Sequence, residues 1–337
     1  MIETVTIKYT QNKMSYIKLI ITVIFMTIAM HSQAQQIGMP FDFSETLKSG
    51  DSYMSIQLQG ALKLSDDKIN GLNARELSGL AWDEDEQLLY AVSDDGHLVH
   101  LSPEFKNGIL TGLEFINAFP LKDSDNNILE GDGADAESLT IINSANTNKG
   151  DSILIITLEA PQRIHKFQPD GTFISELALP QHLYDGHERN DDTPTLDALS
   201  FHPEHELLMA PVKALVDTPD GLFSIYSSKG EKWNYAPLDK MNSATLGMET
   251  LPDGNVLVIE RVYSSMFKPV IYALRKLEFN GEAINVKEIA HFNSREGWSI
   301  DNFESVTRYK ENSYFMISDD NESSFQKTLL IYFKILD

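Results

Sequence analysis

ELSGLAWDEDEQLLYAVSDD, residues 76–95, holds two apolar runs joined by an acidic turn, and related phrases return four more times along the chain. The later copies begin DAESLTII at Asp135, TLDALSFH at Thr195, LGMETLPD at Leu246 and DNFESVTR at Asp301. Aligned on the apolar residue near each centre, they bring Leu80, Leu139, Leu199, Leu251 and Val306 into register, at steps of 59, 60, 52 and 55 residues. A second phrase follows each first one: QLLYAVSDD, SILIITLEA, ELLMAPV, NVLVIERV and SYFMISDD. Apolar residues in these runs are consecutive rather than alternating, which predicts strands buried on both faces. Two weaker strands complete a unit, as in RIHKFQP and FISELALP around Asp170-Gly171, or PVIYALRKLEF and VKEIAHF around Asn280-Gly281. Asp-Gly and Asn-Gly between apolar runs are hairpin signals.

Four antiparallel strands repeated at this spacing predict an all-β fold, a β-propeller of four-stranded blades. The last unit shows only three strands: FESVTRY, SYFMISD and TLLIYFKIL. The unpaired segment YMSIQLQGALKL, from Tyr53, is expected to supply the fourth and close the ring, which removes the exposed edges of an open array. This count gives five blades; six would require another hidden in the N-terminal segment or in the insertion over residues 123–135.

The chain has 337 residues, 42% of them hydrophobic, a net charge of −23 and no cysteine. That composition is globular. It excludes disulfide scaffolds, cysteine metal knuckles and thiol catalysis. The acidic balance offers no basic footprint for nucleic acid. Lys8, Lys13 and Lys18 precede the apolar run LIITVIFMTIAM and then Ser32-Gln33-Ala34, the pattern of a signal peptide over residues 1–34, with Met1 or Met14 as its start. The run is shorter than the ~20 residues of a membrane-spanning helix. Cleavage after residue 34 of 337 leaves 303 residues and, with three Lys and one Glu removed, takes the charge from −23 to −25. The expectation is an exported monomer, periplasmic or secreted, a single domain over residues 35–337 with no membrane insertion after cleavage.

In a propeller the first strand of each blade lines the channel, and the second runs back to the mouth where the first began. Both phrases therefore direct polar residues to one mouth. The first contributes Glu137, Asp197, Glu249 and Glu304; the second contributes Asp94, Asp95, Glu159, Glu260, Arg261, Asp319 and Asp320. Gathered carboxylates raise one another's pKa unless a cation relieves them, and Ca²⁺ suits many oxygen ligands in a flexible ring. Arg163, Lys213 and Arg261 are alternative neutralisers, and a solvated rim with no ligand is the remaining reading. The stretch Asp123-Ser124-Asp125-Asn126-Asn127 lacks the Gly and Glu of a calcium loop. His97, His100, His202 and His205 read as structural, and Trp82, Trp233 and Trp298 as packing between blades. Serine-elbow, P-loop and dinucleotide motifs are absent.

ELSGLAWDEDEQLLYAVSDDGHLVHLSP, DAESLTI, GMETLPDGNVLVIERV and DNFESVTRYKENSYFMISDDN together resemble the phytase-like domain family, also called the esterase-like activity of phytase family. The resemblance implies an exported propeller whose acids serve phosphoester hydrolysis. By position it implies roles for Glu137, Glu249, Glu260, Arg261, Asn302, Glu304, Asp319, Asp320 and Asn321. The third repeat departs from the pattern, ending its second strand in Pro211-Val212-Lys213, and the first carries Ser78 where others carry an acid. The leading expectation is a Ca²⁺-assisted hydrolase of a small phosphoester. Glu137, Glu249 and Glu304 would be its catalytic carboxylates, and Arg163, Lys213 and Arg261 would bind substrate. Asp94, Asp95, Glu159, Asp197, Glu260, Asn302, Asp319, Asp320 and Asn321 would be its metal ligands. A non-enzymatic binding propeller with structural Ca²⁺ and a Ca²⁺-dependent lactonase or esterase are the alternatives.

Overall fold

A computed structural model describes residues 35–184, 195–281, 283–321 and 323–336. The signal-peptide expectation lies outside the described residues. Residues 35–337 form one compact unit. Among the described residues five four-stranded antiparallel blades follow one another; in blades 1 to 4 the strands run in chain order from the axis outward, and short N-terminal strands extend the sheets of blades 1 and 5. The inner strands are Leu77–Asp83, Ala136–Ile142, Ala198–His202, Ser243–Thr250 and Asn302–Arg308, for blades 1 to 5. Each packs beside the next, and the fifth packs against the first, so the ring is closed. The insertion at 123–135 contains no sixth blade; it is a connection with one 3-10 turn, Gly131–Ala134, and a single bridge from Lys122 to Ile128. Among the described residues no helix is long and apolar enough to cross a membrane.

Consecutive apolar residues are explained by where the cores lie. Among the described residues there are five hydrophobic clusters, one in each gap between neighbouring blades. Adjacent residues of one strand point into different gaps: Leu154 and Ile156 face blade 1, while Ile155 faces blade 3. Both strand faces are therefore apolar, as in any sheet covered on both sides. Trp298 packs on Phe43 and Phe292 between blades 4 and 5, and Trp82 meets Tyr309 between blades 1 and 5.

Closure is made as the sequence predicts. Strand Ile56–Leu64 pairs antiparallel with Leu329–Ile335, with Ala61 opposite Ile331, and completes blade 5. Two short preceding strands add a stitch that the sequence did not announce. Gln35–Gln36 pairs with the outer strand of blade 1, and Gly38–Pro40 pairs with the closing strand of blade 5. Gly38 sits where the two blades approach; a Cβ there would lie 2.8 Å from Leu113 Cβ and from Leu62 Cδ1.

Candidate functional site at the acidic mouth of the channel

The inner strands begin, and the second strands end, at what we term the upper mouth. Three of the four pairs with long ladders open on a bulge close to it, leaving one inner-strand residue unpaired: Ser78 in blade 1, Glu137 in blade 2 and Glu304 in blade 5. A bulge re-aims a side chain without breaking the strand. Asp197 precedes the shorter inner strand of blade 3. Just outside these lies a second repeated position: Asp94 N–H bonds Glu76 O at 2.9 Å, Glu159 N–H bonds Asp135 O at 2.8 Å, and Val212 N–H bonds Thr195 O at 3.0 Å. Glu76 and Asp135 stand two residues before Ser78 and Glu137, just ahead of the inner strands of blades 1 and 2.

The acids act on one another through space. Glu137 is pushed well above the usual carboxylate range, first by burial and then by the charges of Asp197, Asp94, Glu304 and Glu159. Burial also raises Glu304, joined by Asp319, Asp94 and Asp197 and opposed by Arg261. Asp197 is raised by burial and by Glu159, and Arg261 again opposes. Asp94 is raised to about 8 by burial, against a hydrogen bond from the Ser78 hydroxyl, with Asp319, Asp135 and Asp95 adding to the rise. Six carboxylates, Asp94, Glu137, Glu159, Asp197, Glu304 and Asp319, from blades 1, 2, 3 and 5 thus share one electrostatic environment, and blade 4 contributes Arg261. Two tighter groups stand out: carboxylate oxygens of Asp135, Glu137 and Glu159, and separately of Glu76, Asp319 and Asp320, lie within 4.8 Å of one another.

A relay crosses from blade 4 to blade 5. Arg261 Nη1 donates to Asn302 Oδ1 at 2.6 Å and Tyr272 OH donates to the same oxygen at 3.1 Å. With its oxygen held, Asn302 directs Nδ2 to Glu304 Oε1 at 2.5 Å. Tyr272 lies on a third strand, where no repeat marked it. Arg163 is committed to the main chain: Nη1 donates to the carbonyls of Glu159 and Pro161, both at 2.9 Å, and Nη2 to that of Gly133. It fastens the turn that carries Asp135 against the strand end that carries Glu159. Lys213 Nζ donates to Ser243 O at 2.5 Å. Asp95 and Asn321 are exposed; Asn321 lends its backbone N–H to Asp319 Oδ1 at 3.0 Å.

Two expected residues are elsewhere. Glu249 pairs with Leu257 near the far end of its inner strand, next to the turn at Pro252. Its sequence alignment with Glu137 and Glu304 is three residues out of register: the bulge in blade 4 falls at Leu246, which occupies the equivalent position. Glu249 instead lines the lower mouth with Trp82, Ser200 and Arg308, in a cavity of about 1130 Å³. Burial raises it to about 8, and the Arg308 charge and N–H pull the other way. Glu260 is also no ligand of the mouth. It is fully buried, takes Ser243 Oγ and the Leu238 N–H on Oε1, and pairs with Arg275 Nη1 at 2.5 Å on Oε2. Strand alternation sends Arg261 to the channel and Glu260 into the gap between blades 3 and 4.

The loop at residues 123–127 is held by its own side chain: Asp123 Oδ1 accepts the N–H groups of Asp125 and Asn127 at 2.9 and 2.8 Å. Its pKa is lowered by those bonds and by the Asn127 side chain. His97 and His100 are buried, each with Nε2 against a backbone oxygen at 2.8 Å, and both are held below the usual histidine range by burial.

No match was found among curated proteins. A family model described as phytase-like, esterase-like activity of phytase, matches residues 73–322, a span that takes in all five inner strands and every acid of the upper mouth, and the chain belongs to this family.

Proposed function

We propose that the protein is a divalent-cation-dependent ester hydrolase acting at the upper mouth, with Ca²⁺ as cofactor and small phosphoesters as its first substrate class. One observation carries the reading: acids separated by up to 225 residues, Asp94 to Asp319, converge on one electrostatic environment that burial alone makes unfavourable. The donor set fits a hard cation. It is all oxygen, and Asp197 Oδ1 has no hydrogen-bond partner among the described residues.

Asp135, Glu137 and Glu159 would hold the cation. When bound, it supplies a Lewis acid for the substrate's ester oxygen and lowers the pKa of a water. Glu304, ionised once a bound cation offsets the charges of its neighbours, would take the proton from the attacking water at Oε2, because Asn302 occupies Oε1. Arg261, beside Asn302, meets the negative charge that develops on the substrate. Glu304, protonated by that transfer, would return the proton to the leaving alkoxide as the ester bond breaks. The chain's charge of −23 would repel a polyanion, so the reading requires the cation. A panel of phosphomonoesters, phosphodiesters and lactones, assayed with Ca²⁺ and with excess chelator, tests it. Cation-dependent turnover supports the proposal; activity retained in chelator, or no turnover of any ester, overturns it.

One feature favours a second reading, hydrolysis of carboxylic esters or lactones bearing an apolar substituent. The upper-mouth loops of blade 4 expose Met241 (88%), Met266 (78%) and Phe267 (79%). A bond from Tyr263 N–H to Asn242 O, 3.1 Å, ties these loops together. An apolar flank beside a polar site suits an amphiphilic ligand better than a polyanion. Turnover of lactones with no phosphoester turnover decides for it.

A further inference from the structure

The two acid groups of the upper mouth differ in what they join. Asp135, Glu137 and Glu159 all belong to blade 2 or to the loop entering it. Glu76 leads into the inner strand of blade 1, whereas Asp319 and Asp320 end the second strand of blade 5. That group therefore straddles the seam between the first blade and the last.

All three acids are shielded: Glu76 is 9% exposed, Asp319 2% and Asp320 4%. Arg75 is the cation seen against them among the described residues; its Nε donates to Asp320 Oδ2 at 2.8 Å. One guanidinium faces three buried carboxylates. Asp320 Oδ1 is fully shielded and has no hydrogen-bond partner among the described residues. A buried acceptor left bare in this way marks a place for a water or an ion. A water would satisfy the Asp320 acceptor without adding positive charge beside the carboxylates.

We propose that Glu76, Asp319 and Asp320 form a structural Ca²⁺ site that pins blade 1 to blade 5 where the ring closes. The ligand set is oxygen only, which suits Ca²⁺. Mg²⁺ demands near-octahedral geometry and keeps its waters, so carboxylates fixed by two different blades serve it less well. The cation links parts of the chain more than 240 residues apart, across the seam that separates first blade from last. It stabilises the folded ring by mass action. The site does not depend on the hydrolytic reading and survives its failure.

The test uses the full-length protein stripped with chelator and titrated with Ca²⁺, reading the Tm and the number of tightly bound ions. Glu76→Gln removes a ligand charge while keeping the Arg75–Asp320 pair; Glu176→Gln, an exposed acid on the outer strand of blade 2 and outside both acid groups, serves as control. At a hundredfold excess over Kd, this site should contribute about 4 °C to the Ca²⁺-induced rise in Tm of the unaltered protein and of Glu176→Gln. That share of the rise should be lost, together with one bound ion, in Glu76→Gln. A full rise in Glu76→Gln, or no response of the unaltered protein, overturns the site. An equal response to Mg²⁺ overturns its selectivity. Should Glu76→Gln fail to fold, hydrogen exchange on the unaltered protein decides. Ca²⁺ must slow exchange at the Leu77, Ser78 and Ser318 amides, and unchanged exchange there refutes the proposal.

Discussion

Removing cations should make the protein less stable as the pH rises from 7 to 9. Asp94 and Glu249 are each raised to about 8, from the ordinary values of 3.8 and 4.5. A carboxyl whose folded pKa lies above its unfolded one stabilises the folded state at low pH, and that stability is lost as pH rises through the folded value. In this window the unfolded carboxylates are already ionised, while a native group of pKa about 8 goes from ~90% to ~10% protonated. Each group therefore costs about 1.4 kcal/mol across the two pH units. Glu137, Asp197 and Glu304 shift in the same direction, so about 2.8 kcal/mol for the pair is a floor. His97, His100 and His165, which are lowered, have the opposite sign. They are neutral in the native state and largely neutral in the unfolded state above pH 7, so they contribute little there. With an unfolding entropy of about 2 cal/mol/K per residue, the Tm in chelator should fall by at least about 4 °C between pH 7 and 9. Saturating Ca²⁺ removes the share of the upper mouth and leaves that of Glu249, about 2 °C, which Glu249→Gln abolishes. Scanning calorimetry in chelator and in saturating Ca²⁺ reads all of this, and a Tm in chelator that is flat or rises over the window refutes the reasoning.

Three further outcomes are expected. Glu260→Gln strands Arg275 in a buried gap and should cost about 3–5 kcal/mol in chemical denaturation, with Ca²⁺ affinity unchanged; a silent substitution contradicts the buried pair. Deleting residues 53–64 removes the strand that completes blade 5 and should abolish the cooperative melt of the domain; a truncated protein that melts like the full chain contradicts ring closure. Asn302→Ala frees Glu304 from its relay and should lower kcat by about 10- to 100-fold with near-native circular dichroism; unaltered kinetics contradict the role given to the amide.

Most of the architecture was legible because the repeat is carried by burial. Runs such as Leu154 to Ile156 are apolar on both faces since each blade is covered on both sides, and that signal recurs at every blade. The closing strand was legible by elimination, as the one β-rich segment without a partner. Register was harder. The turn at Pro252-Asp253-Gly254 anchored the fourth copy on Leu251, and the bulge at Leu246 hid the slip, so Glu249 was assigned to the wrong mouth. Glu260 and Arg261 were read together although alternation separates them, because a strand buried on both faces gives no sign of which residue meets the channel. Glu76 and Asp135 were available in the repeats, two residues before the bulge, but the alignment weighed only the position nearer the core. Tyr272 carries no sequence signal, since its role follows from a contact between two blades.

The convergence of acids on a cation site is tested most directly by proton release on Ca²⁺ binding. At pH 7 an acid of pKa about 8 is ~90% protonated and must ionise to accept the cation's field. Calorimetric titration of the chelator-stripped protein in buffers of different ionisation enthalpy counts the protons. The account predicts binding with release of about one proton or more per protein, reduced in Asp94→Asn. Absence of Ca²⁺ binding, or binding that releases no protons, contradicts it.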